Sequence, residues 1–186
     1  MTGTVVLETE RLRLRELTTA DVDLLVGLDS DPEVMRFLSH QPTPRSEVES
    51  TLLPELLRQY ENGRLGTWAA LDRSGGGFLG WLGLAPVPDR PAEAELGYRL
   101  NRSAWGRGLA TEGSAALVEM GFNRLGLDRI WAETMAVNTA SRRVMEKAGL
   151  RYLRTVHVKF DDPLPGTEHG EVVYELTREQ WRRDRS

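Results

Sequence analysis

The segment Trp105-Gly106-Arg107-Gly108-Leu109-Ala110-Thr111-Glu112 constrains this 186-residue chain more than any other. It joins a strand-like run, Glu93–Leu100, to a long amphipathic helical pattern over Gly108–Leu125. Glycines at 106 and 108 let the backbone turn with no Cβ in the way. Successive N–H groups from Arg107 to Thr111 can then converge on one anion at the start of a helix, as a diphosphate requires. Two other phosphate loops fail. Gly108 and Gly113 have Walker A spacing, but Ser114-Ala115 stand where the lysine and hydroxyl residue belong. A dinucleotide fingerprint needs a third glycine where Thr111 sits, and its acidic residue should end a strand, whereas Asp128 precedes one.

The order of the flanking segments narrows the reading. Glu95-Leu96-Gly97-Tyr98-Arg99-Leu100 precedes the loop and Arg129 to Val137 follows its helix; then come Asn138-Thr139-Ala140-Ser141 and Glu146-Lys147-Ala148-Gly149-Leu150. This series resembles the acetyl-CoA core of the GNAT N-acetyltransferases. The opening Leu7 to Arg15 and the closing Tyr174 to Trp181 resemble the ends of the RimJ/RimL branch, which acts on ribosomal-protein N-termini, so the likeness covers nearly the whole chain. It implies an α/β (α+β) fold. The sheet would be mixed and mainly antiparallel, with a parallel, splayed fourth/fifth strand pair and helices on both faces. The donor's pantetheine arm would lie in the splay between Glu93–Leu100 and Arg129–Val137.

Composition permits one domain over 1–186, with 40% hydrophobic residues and no low-complexity run. No apolar stretch reaches membrane-span length, and the N-terminus lacks the pattern of a signal peptide, so a soluble, cytoplasmic protein is expected. With no cysteine there is no disulfide, thiolate metal site or cysteine nucleophile, and His40, His157 and His169 have no metal-ligand spacing. No metal is expected. Residues 99–147 carry eight Lys/Arg against five Asp/Glu inside a chain of net charge -4. That split suits an anionic donor and a cationic acceptor, although charges on helix surfaces could also produce it. The acidic balance disfavours nucleic acid.

Along the chain, Arg11 to Arg15 alternates as an opening strand, and Thr18 to Asp21 caps a helix carrying Val22, Leu24, Leu25 and Leu28. Pro32 starts a short helix through Leu38. Pro54 should kink or divide the helical run from Ser46 to Tyr60. Thr67 to Leu71 and Phe78 to Leu84 form a hairpin about a glycine-rich turn. From Glu93 the order is strand, helix, strand, helix, strand, which implies parallel pairing at the centre, and Glu171 to Leu176 returns as a last strand before the short segment Thr177–Arg183.

Donor binding is expected from the backbone of Tyr98, Arg99 and Leu100 and from Gly106, Arg107, Gly108, Leu109, Ala110 and Thr111. By resemblance Asn138 would hydrogen-bond the pantetheine or diphosphate region, although an Asn opening a helix is also a good N-cap. One of Arg142, Arg143 and Lys147 would reach the 3′-phosphate; Arg142 is selected. Trp105 replaces the Gln or Arg common at the first loop position, so affinity rests on the backbone and Arg107.

Acetyl transfer needs an uncharged amine, a polarised carbonyl and a proton for the leaving thiolate. Glu95 is the candidate base, on the polar face of its strand with Glu93, Gly97 and Arg99, and Glu93 and Glu133 are alternates. A backbone N–H near Tyr98 to Leu100 would polarise the carbonyl. Met145 replaces the tyrosine that many family members use as acid, which leaves Ser141 as the candidate acid. With neither cysteine nor a Gly-x-Ser-x-Gly elbow, attack is direct. Met35, Phe37, Leu38, Tyr60, Trp68 and Trp81 are candidates for the acceptor wall or the core, and Asp161, Asp162, Glu168 and Glu171 could attract the amine. The acceptor is a peptide N-terminus or a small cationic amine. The competing reading is a GNAT-like module that binds acyl-CoA without turnover. Oligomeric state, a homodimer included, is not legible.

Overall fold

The computed structural model describes residues 3–62 and 65–185. Its eight-stranded sheet comprises β1 (Val5–Glu8), β2 (Leu12–Glu16), β3 (Gly66–Asp72), β4 (Phe78–Pro86), β5 (Glu93–Leu100), β6 (Arg129–Met135), β7 (Arg151–Val156) and β8 (Glu171–Thr177), in the order β1-β2-β3-β4-β5-β6-β8-β7. Only β5 and β6 pair in parallel; every other contact is antiparallel. This is the expected mixed, mainly antiparallel sheet.

The helices are α1 (Val22–Asp29), α2 (Pro32–Met35), α3 (Arg45–Glu47), α4 (Leu53–Arg58), α5 (Leu109–Asn123), α6 (Thr139–Lys147) and α7 (Arg178–Arg183). Alternation sorts the strand residues between two layers. Leu12, Leu14, Trp68, Ala70, Leu82, Leu84, Leu96 and Ile130 point to one face, where they form the main core with Leu109, Leu117 and Met120 of α5. On the other face, Leu17, Leu25, Val48, Leu53 and Ala69 form a second cluster beneath α1 and the α3–α4 run. Gly113 lets α5 approach closely, because a Cβ there would sit 2.5 Å from Leu82 Cδ2. The second glycine of the Walker-like spacing thus serves packing.

Two expectations are corrected. The opening strand is not the first: β1 precedes it and pairs as its antiparallel edge. The run from Ser46 to Tyr60 does divide near Pro54, into α3 and α4, with the proline in the first turn of α4. A π-turn over Val48–Leu52, with Leu53 N–H reaching Val48 O, rearranges the hydrogen bonds just before the proline, and the helical path continues into α4. Finally, α6 does not bring β7 beside β6, because β8 lies between them, antiparallel to both.

Candidate active site

The β5–β6 pairing holds only at Glu93↔Arg129, Ala94↔Ile130 and Glu95↔Trp131. Beyond that the strands part, and β5 runs on to Leu100 paired only with β4. Asn101 N–H donates to Leu79 O on β4, so by alternation the amides of Leu96, Tyr98 and Leu100 face away from β4 and into the split. Arg99 does not share this direction: its backbone faces β4. Its side chain crosses the other face of the sheet to donate from Nη1 to buried Asp29 at 2.5 Å, with the guanidinium 5.4 Å from the Trp81 ring centroid. Arg99 therefore braces the strand rather than offering an amide to the split.

The loop after β5 has the geometry of an anion cradle. Gly106 and Gly108 have φ of 70° and 76°, in the left-handed region that glycine enters without penalty. The first backbone N–H to find an acceptor in the α5 pattern is that of Glu112, on Gly108 O, so the amides of Leu109, Ala110 and Thr111 precede the helix's own bonding. Trp105 Nε1–H donates to Leu100 O at 2.8 Å and closes the loop against the end of β5.

Sequence reasoning missed the part played by Arg11. It donates from Nε to Glu112 Oε2 at 2.6 Å and from Nη1 to Arg107 O at 2.8 Å, while Thr9 Oγ1 and the Arg11 backbone N–H donate to Glu112 Oε1. Burial alone would raise the Glu112 carboxyl, but these hydrogen bonds and the Arg11 charge outweigh it and hold the group below its ordinary value. An acidic residue in the first turn of an anion-binding helix is thereby neutralised. No local pattern signals a partner so distant in sequence.

On α6, Asn138 acts as N-cap: its side chain accepts from Ser141 N–H at 3.2 Å, and its Nδ2 donates to Thr134 Oγ1. Ser141 Oγ lies 2.9 Å from the Tyr98 hydroxyl, across the mouth of the split. Met145 is buried in the core. Arg142 donates to the Tyr174 hydroxyl and to Ala136 O, which turns it toward β8 and leaves Arg143 and Lys147 as the exposed cations of that helix.

The sheet face opposite α5 carries three carboxylates in register. Glu95 pairs with Trp131, Glu133 lies two residues further along β6, and Glu171 faces Met135 from β8. Burial and the charge of Glu133 raise the Glu95 carboxyl above its ordinary value, and the same two causes raise Glu171. Neither carboxyl has a cation partner among the described residues. Glu93 differs: Arg129 and Arg90 hold it in ion pairs, which removes it as a base.

The sequence model of the Acetyltransferase (GNAT) domain matches residues 11–151. The chain belongs to the GNAT acetyltransferase family. It is 38% identical to the FsC-acetyl coenzyme A-N(2)-transacetylase of Aspergillus fumigatus over 95% of this chain and 78% of that protein. Identity to YdaF of Bacillus subtilis, whose name refers to ribosomal N-acetyltransfer, is 26% over 78% of this chain and 77% of that one. Its fold is that of the RimL ribosomal alpha-N-protein acetyltransferase solved with coenzyme A, at a TM-score of 0.80 and 17% identity, covering 95% of this chain and 99% of that one. The protein is thus an N-acetyltransferase with acetyl-CoA as its co-substrate. The β5–β6 split and the glycine loop fit that donor, offering free amides where the family places the pantetheine and diphosphate.

In this acetyltransferase the candidate wall residues separate. Trp68 and Trp81 lie on opposite faces, because Trp68 pairs with Leu82 and Ala69 with Trp81; Trp68 is core and Trp81 lies under Arg99. Met35 is buried, Leu38 is exposed, and the Tyr60 hydroxyl is bonded to Leu17 N–H and Thr67 O. Phe37 lines a cavity of about 260 Å³ with Arg36, Val137, Pro165, Gly166 and His169. This cavity lies where the β7–β8 loop meets the chain just after β6. Asp161, Asp162 and Glu168 are solvent-exposed. No helix among the described residues is long and apolar enough to cross a membrane.

Proposed function

We propose that this protein transfers the acetyl group of acetyl-CoA directly to a primary amine on a small cationic molecule. The observation that carries the reading is the row Glu95, Glu133 and Glu171, which has no ion-pair partner among the described residues and runs along the face opposite α5 from the split toward the loop that lines the cavity beside Phe37. An ammonium group would offset the burial and the Glu133 repulsion that together raise Glu95 and Glu171. The N(2)-transacetylase from Aspergillus fumigatus supports the same class, since its name specifies one nitrogen of FsC as the acceptor.

Each group then has a stated role. Glu95 takes the ammonium proton, directly or through water, and its raised carboxyl brings it closer to the strength of a working base. The amides of Tyr98 and Leu100 donate to the carbonyl oxygen as charge develops there. The Ser141 hydroxyl donates to the departing sulfur. The amides from Arg107 to Thr111 and the α5 N-terminus hold the diphosphate, and Arg143 or Lys147 is better placed than Arg142 for the 3′-phosphate. Free cysteine is absent, so no thiol carries the acetyl group between donor and amine.

The test is thiol release from acetyl-CoA with FsC, polyamines, aminoglycosides, amino-acid amides and short peptides as acceptors. Release with a small amine, and little with peptides, supports the reading. Preference for peptide N-termini moves the acceptor to the alpha-N-protein class in the name of RimL, and coenzyme A binding without release to any acceptor overturns the assignment.

A further inference from the structure

The Tyr98 hydroxyl bridges β5 and α6 where β5 and β6 have already parted, and it lies 2.9 Å from both the carbonyl oxygen and the Oγ of Ser141. We infer that Tyr98 is a positioning residue for acyl transfer: its hydroxyl donates to Ser141 Oγ and so turns the serine proton toward the departing sulfur. This inference rests on the role proposed above for Ser141.

A phenol has one proton to donate, and two acceptors on Ser141 compete for it. Within α6 the helix pattern already supplies the Ser141 carbonyl with the N–H of Met145. If Tyr98 donates to the carbonyl, the serine proton points back at the phenol and is lost to the reaction. If Tyr98 donates to Oγ, the serine proton faces the split, and each bond in the chain polarises the next. Negative charge growing on sulfur selects the second arrangement. Burial pushes the Tyr98 hydroxyl up to about 12, so the phenol keeps the proton that it donates.

In the transfer the amine nitrogen bonds to the acetyl carbon, the C–S bond breaks and its electron pair stays on sulfur. Sulfur takes the Ser141 proton, while the phenol's hydrogen bond stabilises the charge left on Oγ. As the amide forms, the nitrogen loses its second proton to water, which returns one to Ser141 Oγ, and Glu95 passes the ammonium proton to solvent, so each ammonium acetylated releases one proton.

Tyr98→Phe removes only the hydroxyl. It should lower kcat about tenfold, the effect of one hydrogen bond realised in the transition state, with coenzyme A affinity by calorimetry unchanged. In a Ser141→Ala background the same change should cost nothing further, whereas in Ser141→Thr, which keeps a hydroxyl, part of the dependence should persist. Thiol release to water, measured without an amine, gives the same comparison whichever acceptor is used. Equal losses in the wild-type and Ser141→Ala backgrounds would mark Tyr98 as structural and overturn the inference, as would a Ser141→Thr enzyme indifferent to Tyr98→Phe. Normal turnover in Tyr98→Phe with a slow Ser141→Ala overturns the role of Tyr98 alone; normal turnover in Ser141→Ala removes the serine and Tyr98 with it.

Discussion

Arg11 and Glu112 meet at 2.6 Å across 101 residues of sequence, and through that contact the β1–β2 corner holds the glycine loop before α5. The same guanidinium grips Arg107 O, so one side chain both cancels the carboxylate in the first turn of α5 and fixes the peptide between the two loop glycines.

Arg11→Ala should therefore weaken donor binding more than it slows chemistry. It releases Glu112 as an uncompensated charge beside the diphosphate and frees the loop. Calorimetry with coenzyme A should show about tenfold weaker binding, roughly the loss of one charge-assisted hydrogen bond, with kcat at saturating acetyl-CoA nearly unchanged. An equal loss in kcat would mean that the contact shapes the split itself.

Glu95→Gln should slow transfer and stabilise the fold together. The Glu95 carboxyl is raised in the folded state by burial and by Glu133, so its favourable contribution to stability is complete below the unfolded value and is lost as pH rises through the folded one. At neutral pH the ionised carboxylate is a liability that Gln lacks. A higher melting temperature near neutral pH, no gain in acid, and a rate deficit that eases as alkali deprotonates the amine would all follow. A variant with wild-type turnover would remove Glu95 as the base.

Asp21 has the opposite sign. Burial would raise its carboxyl, but the Arg15 hydrogen bonds, the Thr18 N–H and hydroxyl, and the Arg15 charge outweigh burial and lower it. Its contribution is present above the unfolded value and is lost as pH falls through the lowered folded one. Asp21→Ala leaves Arg15 without its partner and breaks the capping box with Thr18, so we expect a loss of about 3 kcal/mol in denaturant unfolding at neutral pH, shrinking in acid.

Gly80 lies at the β3–β4 bulge, with φ of 135°, opposite Leu100 at the end of β5. A Cβ there would lie inside contact distance of Arg99 O and 2.7 Å from Leu100 Cα; both are backbone atoms that no rotamer change can move. Gly80→Ala should cost about 3 kcal/mol of stability and raise the KM for acetyl-CoA, since the displaced strand carries the amides of the split. Unchanged unfolding would show that the bulge absorbs the methyl group.

Local signals in the chain gave the ends of β5 to the residue, the loop glycines, the Asn138 cap of α6, and the list from which the candidates Glu95 and Ser141 come. Each is a turn residue, a cap or a period, and such signals act over a few positions. Where the sequence reading went astray, the deciding interaction was distant. Arg142 looks like a surface cation on its helix until Tyr174, 32 residues on, takes its Nε–H. Trp68 and Trp81 look like neighbours on a hairpin until the register sends them to opposite faces.

The sequence by itself determined a glycine-bearing anion cradle between a strand and a helix, because glycine φ, helix-start amides and alternating apolar residues are properties of short segments. The tertiary structure alone decided the insertion of β8 between β6 and β7, the capture of Glu112 by Arg11, the turning of Arg99 onto Asp29 and the placing of the Tyr98 hydroxyl on Ser141. Those outcomes depend on which distant surfaces bury one another when the sheet closes, and no pattern within a single segment carries that choice.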